Sequence, residues 1–361
     1  MKIFIDIGHP AHVHYFRNFI RIMQGRGHNF FITARQRECV FDLLGSCGLH
    51  YHNRGPGSTT LAGKLLYLLQ ADFALYRLAR HYLPDLFLSF GSAYAAHAAW
   101  LLRKPHIAFD DTEHATLEHL LSVPFTDAVL TPSCFRKTFG KKQIRFNGYM
   151  ELCYLHPNYF TPDPAILDML GVRSGEKYVI LRFVSWSAAH DVGHAGIALE
   201  MKRRAAKELS RYARVFISSE KELPPDLQQY RICIPPERMH DALFYAVLLY
   251  GESATMASEC AVLGTPAVFI DDIGRGYTDE EEREYGLVFN YSESQVDQAA
   301  SLQKALELVK ADTVKDSLRK KRFRILSEKI DVTAFMVWLI DQYPKSLAEI
   351  NSNVDWERKF K

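Results

Sequence analysis

From Tyr250 to Ile270 the chain reads Tyr-Gly-Glu-Ser-Ala-Thr-Met-Ala-Ser-Glu-Cys-Ala-Val-Leu-Gly-Thr-Pro-Ala-Val-Phe-Ile. An apolar run ends in small residues, a helical stretch follows, and Gly264-Thr265-Pro266 stops it ahead of a second apolar run. This is one strand–helix–strand unit of a parallel sheet wrapped by helices. Ser253 and Thr255 stand where a helix start favours hydroxyl caps. Unsatisfied N–H groups and the positive end of the helix dipole make such a start an anion site. Glu259 falls four residues after Thr255, on the same face and one turn deeper. Phosphate at the helix tip with a carboxylate one turn away suits a nucleotide, the tip holding the diphosphate and Glu259 accepting from ribose hydroxyls.

The same alternation runs along the whole chain. Apolar runs near 2–7, 29–33, 86–89, 106–109 and 128–131 read as strands, separated by helical segments near 13–24, 37–47, 61–82, 93–102 and 113–121. Pro84-Asp85 and Lys104-Pro105 punctuate strand entries. A Pro-rich, aromatic stretch around 156–164 interrupts the pattern. A second series follows, with strands near 178–183, 215–218, 248–250, 267–270 and 287–290 and helices near 198–212, 239–246, 255–263 and 298–309. Helical segments near 316–330 and 332–343 close the chain. The expectation is an α/β protein of two Rossmann-like domains: 1–155, a linker at 156–166, 167–331, and a helical tail at 332–361.

With 44 basic and 42 acidic residues the net charge is +2, so no strong basic field points to nucleic acid. The six cysteines form no Cys-x-x-Cys pair and read as reduced thiols of a cytoplasmic protein. Residues 1–7 are too short for a signal-peptide core, and 86–102 mixes Ser89, Gly91, Ser92 and His97 into its apolar run, unlike a membrane span.

Ligands of open α/β sheets sit outside the carboxyl ends of strands, which directs attention to the loops there. Gly8-His9-Pro10-Ala11-His12-Val13-His14 follows the first strand. A neutral histidine can take a proton from a hydroxyl near neutral pH, which makes the histidines of this loop candidates for a base or substrate contact. A three-histidine zinc site fits the residue types but not the spacing, because His12 and His14 diverge on a helix; no metal is expected. Asp110-Asp111-Thr112-Glu113 follows another strand and can orient a hydroxyl or a histidine, or simply supply the acids of a helix start. Arg182, Ser185 and Ser219 also follow strands.

Ser253-Ala254-Thr255-Met256-Ala257-Ser258-Glu259 resembles the donor motif of GT-B glycosyltransferases that use UDP-sugars, in particular the enzymes that add N-acetylglucosamine to a lipid-bound peptidoglycan precursor. A glycine of that motif is missing here. UDP-GlcNAc 2-epimerases carry a similar pattern. Asp6 to His12, with Arg182-Phe183-Val184-Ser185-Trp186-x-Ala188-x-His190-Asp191, resembles a microbial family of uncharacterised proteins regarded as GT-B glycosyltransferases. The resemblance implies the GT-B architecture, two Rossmann-like domains facing a cleft with the tail at 332–361 packing on the first. It implies that Ser253, Ala254, Thr255, Met256 and Glu259 bind the donor, with Arg182, Ser185 and Ser219 near its diphosphate. It implies His12, His9, Asp111 and Glu113 as catalytic groups, and Gly8, Asp110, Asn147, Asp271 and Arg275 as acceptor or sugar contacts.

The implied activity is metal-independent, inverting transfer from a UDP-sugar co-substrate to a lipid- or polysaccharide-linked hydroxyl, with no cofactor. A 2-epimerase or hydrolase on the same fold, or a non-catalytic nucleotide-sugar binder, remains open. Arg319-Lys320-Lys321-Arg322-Phe323-Arg324 reads as a solvated helix face or as a contact with an anionic membrane. The leucine-rich stretch 61–83 reads as core or as an apolar acceptor-side helix.

Overall fold

The computed structural model describes residues 1–58, 61–173, 175–184, 196–311 and 314–361. The chain divides into two compact units, Met1–Tyr154 with Lys329–Lys361 and Leu155–Glu328.

The first unit is built on a parallel sheet. Its strands are β1 (Lys2–Ile7), β2 (Asn29–Ala34), β3 (His52–Asn53), β4 (Leu86–Phe90), β5 (His106–Phe109), β6 (Ala128–Pro132) and β7 (Gln143–Phe146). Their order is β3-β2-β1-β4-β5-β6-β7. Helices cover both faces, so β4 to β6 are buried throughout and read as continuous apolar runs rather than alternating ones. The chain winds outward from β1 and restarts at β4, which places the reversal of winding between these two strands. The expected helix near 113–121 begins only at Thr116. Before it, Asp110 accepts from the Thr112 amide at 2.7 Å, a local turn that holds the chain out of helix.

The C-terminal segment is part of this unit. Lys329 donates to the Asn147 side chain at 3.0 Å and the Ile330 amide to the Asn147 carbonyl at 2.9 Å. Helix Val332–Asp341 then lays Phe335 against Phe146 at 5.7 Å between ring centres, and Thr333 hydrogen-bonds the Cys153 carbonyl.

The second unit has five parallel strands: β8 (Tyr178–Phe183), β9 (Arg214–Ser219), β10 (Leu248–Gly251), β11 (Ala267–Ile270) and β12 (Val288–Tyr291). They are ordered β12-β11-β10-β8-β9, so winding reverses between β8 and β10. Val179, Leu181, Leu248, Tyr250 and Val268 form the sheet side of its core, against Ala205, Leu209, Leu302 and Ala305 from the helices. Residues 156–166 belong to this unit: Asp163 pairs with Arg238 at 2.8 Å, and its backbone amide donates to the Asp241 carboxylate at 2.9 Å.

Candidate functional site

Both reversals of winding are places where an open α/β sheet presents loop ends to a ligand. In the second unit, β8 and β10 run side by side into the segment Gly251-Glu252-Ser253. A side chain at Gly251 would stand 2.0 Å from the Arg182 carbonyl, so only glycine allows the strands this close. Ser253 caps helix Ala254–Leu263 and accepts from the Met256 amide at 3.3 Å. The amides of Ala254 and Thr255 have no partner among the described residues. Two N–H groups and the dipole therefore point out of the helix start.

Glu259 lies one turn into this helix, 5% exposed, with its Oε1 2.9 Å from His240 Nε2. Arg182 is the penultimate residue of β8; its two terminal nitrogens reach Ser218 at 3.1 Å and Glu220 at 2.7 Å, while its buried Nε has no partner among the described residues. Underneath, Glu252 accepts from the amides of Val184 and Ile197, both at 2.6 Å, and pairs with the buried Lys202 at 3.1 Å. Burial opposes the charge on Lys202 and Glu252 supports it.

In the first unit, Asp6 is buried at the end of β1. It accepts from Arg54 at 2.9 Å, Thr33 at 2.7 Å and Ser92 at 2.6 Å. Ser92 caps helix Ala93–Leu102 after β4, so Asp6 ties the two strand ends together. Arg54 also donates to Tyr67 and lies over the Tyr94 ring. His9 caps helix Pro10–Gly25, its Nδ1 accepting from the Ala11 amide. His12 packs against Phe90 at 4.8 Å and receives the Gly8 amide on Nδ1 at 3.3 Å. In a neutral ring that assigns the proton to Nε2, which then presents a donor. Burial first, then the charges of His9, Arg37 and Arg54, hold His12 well below the ordinary histidine range. His14 turns instead to the Tyr154 ring, so the two histidines diverge. Among the described residues no group of three His, Cys, Asp or Glu is arranged to hold a metal ion.

After β5, Asp110 and Asp111 are both buried. Asp110 pairs with His119 Nε2 at 2.9 Å, Asp111 accepts from the Thr112 hydroxyl at 3.0 Å, and Glu113 accepts from the Arg136 amide at 3.3 Å.

The structure thus brings Arg182, Ser253, Ala254, Thr255, Met256 and Glu259 to one sheet edge in the second unit. Ser219 ends the neighbouring β9, its hydroxyl accepting from the Lys221 amide. Gly8, His9 and His12 share one edge in the first unit, and Asp110, Asp111 and Glu113 follow β5 on the same side of that sheet. Ser185 lies outside the described residues. Asn147 is engaged by the C-terminal segment through its amide, carbonyl and side chain, the amide donating to Glu357 at 2.7 Å. Asp271 closes a turn through the amides of Ile273 and Gly274, and Arg275 donates to the Gly274 carbonyl. Sequence reasoning missed Asp6–Arg54, Glu252–Lys202, His119 and the role of His240. A carboxylate inside an apolar strand was the available signal for Asp6.

The model of the family described as Protein of unknown function (DUF354) matches residues 1–277. An uncharacterized protein of Methanocaldococcus jannaschii is 24% identical over 285 residues, covering 74% of this chain and 81% of its own. Among solved structures, UDP-GlcNAc 2-epimerase from Neisseria meningitidis, bound to UDP-GlcNAc, superimposes with a TM-score of 0.66 at 13% identity, over 91% of this chain and 99% of that one. The M. jannaschii UDP-GlcNAc 2-epimerase in complex with UDP-GlcNAc and UDP gives 0.62 at 13%, over 91% and 99%. The spinosyn forosaminyltransferase SpnP gives 0.62 at 14%, over 94% and 99%. At these identities the likeness is one of fold.

Proposed function

The chain belongs to the DUF354 family, and from that premise we propose that it is a nucleotide-sugar enzyme, holding a UDP-sugar on its second unit and transferring the sugar to a hydroxyl acceptor. The observation that carries this reading is the start of helix Ala254–Leu263, where two unpartnered amides stand at the β8–β10 reversal beside Arg182. That set suits a diphosphate. Glu259 would accept from the ribose. The UDP and UDP-GlcNAc held by fold neighbours support the choice of nucleotide.

In the transfer, the acceptor oxygen attacks the anomeric carbon as the bond from that carbon to the diphosphate oxygen breaks. The helix start and the Arg182 guanidinium stabilise the charge that develops on the leaving UDP. His12, with Nδ1 occupied by the Gly8 amide, donates from Nε2 to a substrate oxygen, and the acceptor proton passes to Asp111 or Glu113. On this reading His12 takes the second of the two roles considered for it, substrate contact rather than base.

Epimerisation at C2 is a second reading, favoured by the adjacent buried carboxylates Asp110 and Asp111. Incubation with UDP-GlcNAc in D2O separates the two. Transfer yields UDP in step with a glycosylated acceptor and no deuterium at C2. Epimerisation yields C2-deuterated sugar nucleotide with UDP still attached. Absence of both products from every UDP-sugar and acceptor tested would contradict the enzymatic reading.

A further inference from the structure

Three neighbouring helices of the first unit turn large apolar side chains to solvent. Helix Leu61–Tyr82 shows Leu66, Leu69 and Phe73, helix Ala93–Leu102 shows Trp100 and Leu101, and helix Thr116–Ser122 shows Leu117 and Leu120. Each is more than half exposed, from 54% at Leu101 to 69% at Leu120. Leu66, Leu69 and Phe73 follow helical spacing, so they form one stripe. The helices are tied together at one height: Asp72 meets His97 Nδ1 at 2.9 Å, and His97 Nε2 meets the Leu121 carbonyl at 2.9 Å. Every exposed residue named lies within two turns of that line, which makes the set one surface rather than scattered side chains. Scattered apolar residues need no explanation; a contiguous face does.

Its charges narrow the occupant. Arg77 and Arg80 continue the Leu66-Leu69-Phe73 stripe, and Arg103 follows the second helix. All three are exposed, and none pairs with an acid among the described residues. The helices carry two acids, Asp72, which His97 takes, and the exposed Glu118. Apolar side chains flanked by long cations match the boundary of an anionic bilayer, where the stems stay in apolar surroundings and the heads meet phosphate. No helix of the described residues is long and apolar enough to cross a membrane, so contact would be with the surface.

We propose that this three-helix face docks the protein on an anionic lipid bilayer. The inference stands independently of the nucleotide reading, since none of its residues belongs to the second unit.

The test is co-sedimentation of the full chain with vesicles of phosphatidylcholine alone or mixed with phosphatidylglycerol, alongside light scattering without lipid. Wild type should pellet with the anionic vesicles and release as salt rises. Leu69→Glu with Phe73→Glu should cut the bound fraction about tenfold or more, and Arg77→Gln with Arg80→Gln by a similar factor on anionic vesicles only. Melting temperatures of both variants should match wild type, because all four side chains are exposed. Wild type left in the supernatant with both vesicles would overturn the proposal. So would pelleting indifferent to phosphatidylglycerol or to both variants. A dimer in light scattering that Leu69→Glu with Phe73→Glu dissociates, without vesicle binding by wild type, would assign the face to self-association instead.

Discussion

The imidazole of His240 and the carboxylate of Glu259 meet at 2.9 Å in the interior of the second unit, both nearly shielded from solvent. The contact fixes one oxygen of Glu259 and leaves the carboxylate oriented by a ring that is itself packed edge-on to Phe160. A carboxylate so held can accept from a ribose without first losing side-chain freedom.

His240→Ala should therefore weaken UDP binding by about 1 kcal/mol, the worth of one positioning hydrogen bond. The loss should be smaller for 2′,3′-dideoxy-UDP, and His240→Asn should recover part of it. Calorimetry with both ligands checks this. An equal loss for the two would show that His240 acts on the fold rather than through Glu259.

Glu252 and Lys202 form a second buried pair, with Glu252 also holding the amides of Val184 and Ile197. Glu252→Ala should cost roughly 3–5 kcal/mol of stability, because it removes the carboxylate paired with the buried Lys202 at 3.1 Å. Replacing both, as Glu252→Ala with Lys202→Met, should cost less than the sum of the two single changes. Denaturant unfolding of the four proteins reads the coupling, and strict additivity would contradict it.

The first unit should weaken in acid. His106 is fully buried between Ser89 and Thr126, and burial, with the charge of His97 second, lowers it to about 3. The unfolded chain then takes up the proton first as pH falls below the ordinary histidine value of about 6.5, so stability is full above that value and declines toward pH 3. His12, also held low, adds to the same slope. At pH 5 the share of His106 is roughly 2 kcal/mol, from about 1.4 kcal/mol per unit. Thermal melts between pH 7 and 4.5 should show the decline, and His106→Gln should flatten it; an unchanged slope in the variant would place the effect elsewhere.

Much of the fold was legible because its elements are long and bounded by clear breakers. Helix Leu61–Tyr82 and strand Tyr178–Phe183 have the limits their apolar pattern gives. The two-residue β3 and the edge strand β7 were not, since an edge strand owes its existence to its neighbour more than to its own pattern. The same holds for the sites. Ser253 caps the helix that carries Glu259, so spacing alone relates them. Asp6 meets Arg54, and Glu252 meets Lys202, across 48 and 50 positions, and a charged residue read singly looks like surface. Asn147 lay in a turn whose use became visible only with the C-terminal segment bonded to it.

The most direct test of the account is calorimetric binding of UDP, GDP, ADP, TDP and CMP to wild type and to Glu259→Ala, with and without EDTA. Binding should be selective for UDP, unaffected by EDTA, and weakened by about 1–3 kcal/mol in the variant as charge-assisted hydrogen bonds to ribose are lost. Failure of wild type to bind any of the five, or equal affinity in the variant, would contradict a nucleotide site at the start of helix Ala254–Leu263.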